Sequence, residues 1–407
     1  MVLELFLSLR YLKAKRKQAF ISIISVISIL GVMVGVMSLI VVLSVMNGFR
    51  SELMSRSLGI MPHIWVSSDE GSITEYESTK ERLKSVQGVT DISPSIMKEL
   101  LLQSSYTTGA YVRGVDPEGI TAITGIKNMM QSGDISSLKN TGDDIPNVII
   151  GIELAKSLRI GEGDIIKLNS PSGRLTPLGR TPKKQNFRVS GIFSSGLIEY
   201  DQRLIFISFE EAQRLFAMEG KATHLEVKVD NTEQSDITAR KIREILGSGY
   251  SVIDWKEYNR SLLGALKLEK TAMFIIQIMI VMVGALNIIS VLVMTVLEKA
   301  KDIAILRTMG TTKKSIMSIF MIQGLIVGIT GTLAGVISGL GICYLISNYI
   351  FIEIPSDVYP VSTLPVLIDY ADVMVVTIAG FLLSFLTTIY PSWHASRLNP
   401  VETLRYE

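Results

Sequence analysis

The stretch QAFISIISVISILGVMVGVMSLIVVLSVMNGF, residues 18–49, runs for 32 positions without an Asp, Glu, Lys or Arg. About 20 apolar residues in a helix span the roughly 30 Å hydrocarbon core of a bilayer, so this window is more than long enough. Three further charge-free windows follow at Thr271–Leu297, Ser315–Ile352 and Val373–Ser396. Between the first and the second lie about 220 residues of ordinary soluble composition. The layout predicts an α-helical membrane protein with four transmembrane helices, one then three, and a large mixed α+β domain between the first and second. A chain so arranged moves or signals something across a membrane. The 48% content of hydrophobic residues agrees with this, and the net charge of +2 says little.

Basic residues orient the spans. Arg10, Lys13, Lys15, Arg16 and Lys17 precede the first; Lys299, Lys301, Arg307, Lys313 and Lys314 lie between the second and third; Arg397 and Arg405 follow the fourth. The segment 353–372 has no basic residue and four acids, Glu353, Asp357, Asp369 and Asp372. The predicted order is a cytoplasmic segment 1–19, a span at 20–49, an outer domain at 50–270 and a span at 271–297. A cytoplasmic loop at 298–314, a span at 315–352, an outer loop at 353–372, a span at 373–396 and a cytoplasmic tail at 397–407 complete it. The first window far exceeds the roughly 7–15 residue core of a signal peptide and ends without small residues, so it reads as an anchor. The window 315–352 reads as one long span, because two crossings would need a polar turn near Gly335 and would place the acidic loop inside. The single cysteine, Cys343, lies within that span and cannot form an intrachain disulfide.

In the outer domain, 63–67, 147–151, 164–168 and 225–229 read as strands, and 73–86, 209–217 and 234–246 carry helical apolar spacing. Residues 255–270 read as an amphipathic stalk feeding the second span. From Ile165 to Ile198 there are six basic residues and no acid. The centre of this stretch, 170–184, holds Pro171, Pro177 and Pro182, which rule out a regular helix. It is a solvated basic loop, or a docking arm for an acidic or groove-bearing partner.

Several chemistries are missing. There is no phosphate-binding Gly-rich loop with its Lys-Ser/Thr. His63, His224 and His394 are too scattered to ligate a metal, and no nucleophile–base arrangement is present. The spans carry no Asp, Glu, Lys or Arg that would mark an ion or proton path. The chain reads as a membrane protein without ATPase motifs and not as an enzyme; neither cofactor nor metal is expected on it, and nothing points to nucleic acid. If it does work, the energy comes from a partner.

Gly31-x3-Gly35 and Gly331-x3-Gly335-x3-Gly339 let helices approach closely, either within the chain or between subunits. In the cytoplasmic loop, Ile303, Leu306 and Met309 form an apolar stripe beside charged residues, with Gly310 as a helix stop. That short helix would lie on lipid or enter a groove on a cytoplasmic motor.

Ser44-Val-Met-Asn-Gly-Phe49, Glu298-Lys…Asp302-Ile-Ala-Ile-Leu-Arg-Thr-Met-Gly310 and Ala395-Ser-Arg-Leu-Asn-Pro-Val-Glu-Thr-Leu-Arg-Tyr-Glu407, with Asp254-Trp255 before the stalk, resemble the permeases of lipoprotein-releasing ABC transporters, the LolC/LolE family. The resemblance covers essentially the whole chain. It implies a bacterial inner membrane location with both termini cytoplasmic and the large domain periplasmic. It further implies a cytoplasmic LolD-like ATPase dimer carrying ATP and Mg, a second permease (LolE-like or another copy of this chain) and a periplasmic LolA-like carrier. A triacylated lipoprotein would be the cargo, taken from membrane lipid. The hook of the C-type subunit would correspond to Pro171, Arg174, Leu175, Pro177, Leu178, Arg180, Pro182 and Lys183. The ATPase coupling helix would use Lys301, Ile303, Leu306, Arg307, Met309 and Gly310. The lipoprotein cavity would be lined by Val42, Met46, Phe49, Met273, Phe274 and Gln277; the alternative is that these side chains face only lipid or one another. A macrolide- or toxin-type efflux permease and a cell-division signalling permease that activates periplasmic hydrolases are the rival readings.

Overall fold

The computed structural model describes residues 8, 19–139, 145–171, 175–176, 179–180, 182–349 and 364–397. The chain divides into two compact units. One comprises Met1–Ser51, Leu266–Ile354 and Thr363–Glu407, and the other is built on Glu52–Ala265.

Among the described residues four helices are long and apolar enough to cross a membrane: Ala19–Ile60, Arg260–Glu298, Lys313–Asn348 and Tyr370–Ser396. Each charge-free window falls within or almost within its helix, but the helices do not stop where the charges begin. The first continues past Phe49 to Ile60, and Glu52 and Arg56, one helical turn apart, pair at 2.7 Å on its surface. A charge marks where a helix can leave the hydrocarbon, not where it must end. The stalk expected at 255–270 is divided: Trp255–Tyr258 forms a short helix, and Arg260 opens the long second span. Residues 315–352 lie largely in one helix, Lys313–Asn348, with Thr312 capping its N-terminus. Pro391 sits inside the fourth helix, where it leaves a carbonyl unmatched one turn back.

Small residues assemble this bundle. A Cβ added to Gly331 would lie 2.7 Å from the Cβ of Val32, and one on Gly335 would lie 2.7 Å from that of Val36 and 2.8 Å from the Met33 carbonyl oxygen. Gly339 faces Ile40 in the same way at 3.2 Å. The third span therefore lays its glycine ladder directly on the first. Gly324 and Gly328 present a second face to Thr388 and Ser384 of the fourth span. Gly31 of the first span faces Asn287 of the second, whose amide nitrogen would be 3.0 Å from an added Cβ. The ladder of Gly331, Gly335 and Gly339 thus serves packing within the chain, whereas a Cβ on Gly35 meets only Ile280, at 4.0 Å.

Among its described residues the other unit has twelve strands: β1 (Ile64–Ser68), β2 (Val89–Gln103), β3 (Thr107–Val115), β4 (Met130–Gly133), β5 (Asn147–Gly151), β6 (Ile165–Ser170), β7 (Leu175–Thr176), β8 (Gly179–Arg180), β9 (Lys183–Phe193), β10 (Leu204–Ser208), β11 (His224–Val229) and β12 (Tyr250–Asp254). Ten form one sheet with the path β12-β1-β11-β2-β3-β10-β5-β9-β4, while β6 bridges β2 and β9. That bridge closes β2, β3, β10, β5, β9 and β6 into a ring. Alternate residues point inward on every strand: Ile96, Leu100 and Leu102; Ala110 and Val112; Ile205 and Ile207; Val148 and Ile150; Phe187 and Val189; Ile166 and Leu168. Period-two alternation with one buried face is what a strand in a closed layer requires. A second core lies where β1, β11 and β12 pack against the helices Tyr76–Lys84 and Ser235–Leu246.

Arg113 of β3 joins these regions. Its guanidinium pairs with Glu226 of β11 at 2.8 and 2.5 Å and donates to the Ile60 carbonyl at 2.7 Å, with both charged side chains buried. The cation thereby also caps the C-terminal turn of the first long helix, where the backbone dipole is negative.

The ladder makes a contrast within one helix. Gly335→Leu inserts a side chain where a single Cβ already meets backbone, whereas a Cβ on Gly341 meets nothing within 4 Å. Gly335→Leu should lower stability by at least the roughly 1–3 kcal/mol of ordinary overpacking, while Gly341→Leu should stay within about 0.5 kcal/mol of the parent. Thermal unfolding of the detergent-solubilised chain measures both, and equal midpoints would contradict this packing.

Candidate functional site

The six residues expected to line a lipoprotein cavity lie around one open groove in the membrane unit. Val42, Met46 and Phe49 come from the first helix, and Met273, Phe274 and Gln277 come from the second. Val42 and Phe274 are exposed, and the other four are half-buried. The two helices contribute here because each turns residues near one end of its charge-free window to a common face: apolar Val42, Met46 and Phe49 on one, Met273 and Phe274 with the polar Gln277 one turn on from Met273 on the other. Four charged side chains also line the groove: Arg50, Glu269, Lys270 and Asp372. The site is thus apolar in body and charged at its margin.

The motif Val45-Met-Asn-Gly-Phe49 acquires a physical role in this groove. Met46 and Phe49 supply its wall, and the Asn47 amide donates to Asp372 Oδ2 at 2.7 Å. Gly48 lets the segment before the fourth span approach: an added Cβ would lie 2.6 Å from the Pro365 carbonyl carbon and 2.9 Å from the Leu367 nitrogen. The Leu367 amide donates to the Ser44 carbonyl at 2.9 Å beside it. Sequence reasoning did not single out Asn47, Gly48 or Asp372 as site residues. Asn47 and Asp372 lie 325 positions apart, and only the motif itself gave a signal.

The loop between the second and third spans forms the helix Ala300–Thr308, shorter than the expected segment. Its stripe is divided. Ile303 is buried, and Leu306 packs against the same cluster of Val296, Ile316, Ile319, Phe320 and Ala395. Arg307 donates to the Ser396 carbonyl at 3.0 Å, tying the helix to the end of the fourth span. Lys301, Ile305, Thr308 and Met309 are exposed, Met309 to 78%. Their spacing of four, three and one puts them on a common face. Gly310 adopts φ +96°, a conformation natural to glycine, and ends the helix. An apolar repeat can face its own bundle or a partner, and here Ile303 and Leu306 take the bundle.

The proline-rich stretch lies at the far end of a paired extension. β6 and β9 pair antiparallel from Ile165 opposite Arg188 out to Ser170 opposite Lys183. Beyond them β7 pairs with β8, Leu175 opposite Arg180 and Thr176 opposite Gly179. Pro171, Pro182 and Lys183 are exposed. Arg174, Pro177 and Leu178 lie outside the described residues. At the root, Lys183 donates to the Arg214 carbonyl at 2.6 Å, and Gln185 donates to the buried Glu211 at 2.9 Å. Among the described residues no three His, Cys, Asp or Glu side chains come together to hold a metal ion.

Residues 25–245 match the MacB-like periplasmic core domain, and residues 274–400 match the FtsX-like permease C-terminal domain. A lipoprotein-releasing system transmembrane protein LolC from Xylella fastidiosa is 36% identical over all of this chain and 99% of its own length. A LolC from Neisseria meningitidis is 35% identical over the same shares. A LolE from Haemophilus influenzae is 28% identical over 98% of both chains. With four apolar helices, a mixed α/β domain between the first and second, and similarity from end to end, the chain belongs to the LolC/LolE family of lipoprotein-releasing transmembrane permeases.

Proposed function

We propose that this permease draws a triacylated lipoprotein out of the outer leaflet of the bacterial inner membrane and passes it to a periplasmic carrier. The observation that carries this reading is the groove between the outer ends of the first two spans. Its methionine and aromatic wall suits acyl chains, because methionine repacks cheaply around flexible apolar ligands. Its charged margin suits the polar peptide that follows the lipidated end. Efflux and cell-division signalling are not favoured by relatives that match at full length.

The energy comes from a cytoplasmic ATPase dimer that binds ATP and Mg; no cofactor is assigned to this chain. The partner-facing surface of the short cytoplasmic helix is Lys301, Ile305, Thr308 and Met309. Movement imposed there reaches the bundle through Ile303 and Leu306, and the fourth span through Arg307. Compression of the groove then displaces the acyl chains. A second permease, LolE-like or another copy of this chain, supplies the opposite wall. Both termini are cytoplasmic, in keeping with the basic residues at either end of the chain. The stretch 170–184 docks the carrier: its prolines limit the entropy lost on binding, and its basic residues steer an acidic rim.

Coupling and docking are tested on separate variants of the full chain. Ile305→Glu with Met309→Glu should abolish co-purification of the ATPase while leaving insertion and thermal stability of the permease unchanged. Leu306→Glu, in contrast, should destabilise the permease itself. Co-purification of the ATPase at parental yield with the double variant would reject the exposed face as the coupling surface.

Docking is read by carrier capture at two salt concentrations. Lys183 is left intact because its ammonium is engaged at the root. Arg180→Glu with Lys184→Glu should slow association by about tenfold at low salt and by less at high salt, as expected for electrostatic steering. Capture that ignores both the charges and the salt would make 170–184 an ordinary solvated loop.

A further inference from the structure

The membrane unit holds a second, open-sided cavity between the first, second and fourth spans. It shares Phe274 and Gln277 with the groove described above, so the two meet at those side chains. Its other lining residues are apolar or small, and they fall within the charge-free windows. Hydrocarbon is therefore the chemistry that this space accepts.

Two of its glycines differ from those that pack the bundle. A Cβ on Gly284 meets nothing within 4 Å, and one on Gly35 reaches only Ile280, at 4.0 Å. Gly331 and Gly335, in contrast, would collide with a neighbouring helix. Glycine inside a helix costs stability and must bring something in return. At Gly284 it neither turns the chain nor admits a helix; it leaves room.

The junction carries one unspent polar group. The Gln277 amide nitrogen is buried and has no hydrogen-bond partner among the described residues. Ser384, which also lines the cavity, donates to the Gly380 carbonyl at 2.8 Å and is already satisfied. A buried donor without an acceptor at the mouth of an apolar space fits a ligand with one carbonyl followed by a long chain.

We propose that the cavity floored by Gly35 and Gly284 receives one ester-linked acyl chain of the lipoprotein, with its ester carbonyl accepting from Gln277. This rests on the groove at 42–49 and 273–277 being the cargo entrance. The chain passes Phe274 and runs inward between the spans, so the entrance holds the polar end and the cavity measures acyl length.

The test uses the complete transporter in lipid nanodiscs with a lipoprotein carrying a photoreactive diazirine near the methyl end of an ester-linked chain. Adducts mapped by mass spectrometry should fall at Gly284, Ile288 or Ala379. Gly284→Leu, whose Cβ meets nothing within 4 Å and whose branched end enters the space, should remove those adducts and slow release several-fold, while adducts from a probe near the ester stay at Met46 and Met273. End-chain adducts confined to 42–49 and 273–277, in the parent and in Gly284→Leu alike, would overturn the inner site yet leave the entrance intact. Absence of adducts anywhere on this chain would overturn the entrance as well. A diazirine phospholipid that labels Gly284 equally with and without cargo would assign the cavity to bilayer lipid and overturn the proposal.

Discussion

Within a bilayer, burying apolar side chains gives two helices little reason to associate, because lipid tails are as apolar as leucine. Close backbone approach has to supply the attraction instead. The contact of Gly331, Gly335 and Gly339 with Val32, Val36 and Ile40 does this over two turns, and the remaining features of the membrane unit follow from it. It seats the first span on the third with the β-branched residues turned inward. The other side of the first span, marked by Gly31 and Gly35, is thereby turned toward the second. A close contact on one face and an open one on the other is what a permease needs if a cavity is to form without dissolving the bundle.

The same division separates rigid from adaptable regions. The third and fourth spans interlock through Gly324, Gly328, Ser384 and Thr388, and the end of the fourth is tied to the helix Ala300–Thr308 by Arg307. The Ser44–Phe49 turn of the first span is fixed by backbone, through Gly48 and the Leu367 to Ser44 hydrogen bond. What remains loosely filled is the space bordered by the second span, whose residues Phe274, Ile275, Met279, Met282 and Val283 are widely exposed. Movement is cheapest where fewest contacts are lost.

Much of this was legible in the sequence, for physical reasons. The spans could be read because charge is so costly in hydrocarbon that 32 consecutive residues without it mark a segment suited to the bilayer. The strand at 147–151 and the helices near 209–217 and 234–246 followed from alternation and periodicity. The longest strand, β2, did not: its tract Met97-Lys-Glu-Leu-Leu-Leu-Gln103 has no strict alternation, and it is held extended by pairing with β3, β6 and β11. Closure of the ring through β6 was equally invisible, since it depends on partners far apart in the chain. The six groove residues came from resemblance, not from pattern, and their polar neighbours Asn47 and Asp372 were missed. The stripe at 303, 306 and 309 was correctly apolar, but periodicity cannot say which body covers it.

Reconstitution decides whether this chain moves a lipidated protein out of the membrane. The chain would be placed in proteoliposomes with its ATPase, the second permease and a purified triacylated lipoprotein, with the carrier supplied outside. The predicted result is that ATP transfers the lipoprotein into the soluble, carrier-bound fraction, while a soluble version of the same protein without its acyl chains gains nothing from ATP. Hydrolysis of ATP at full rate with the lipoprotein still held in the vesicles would contradict it.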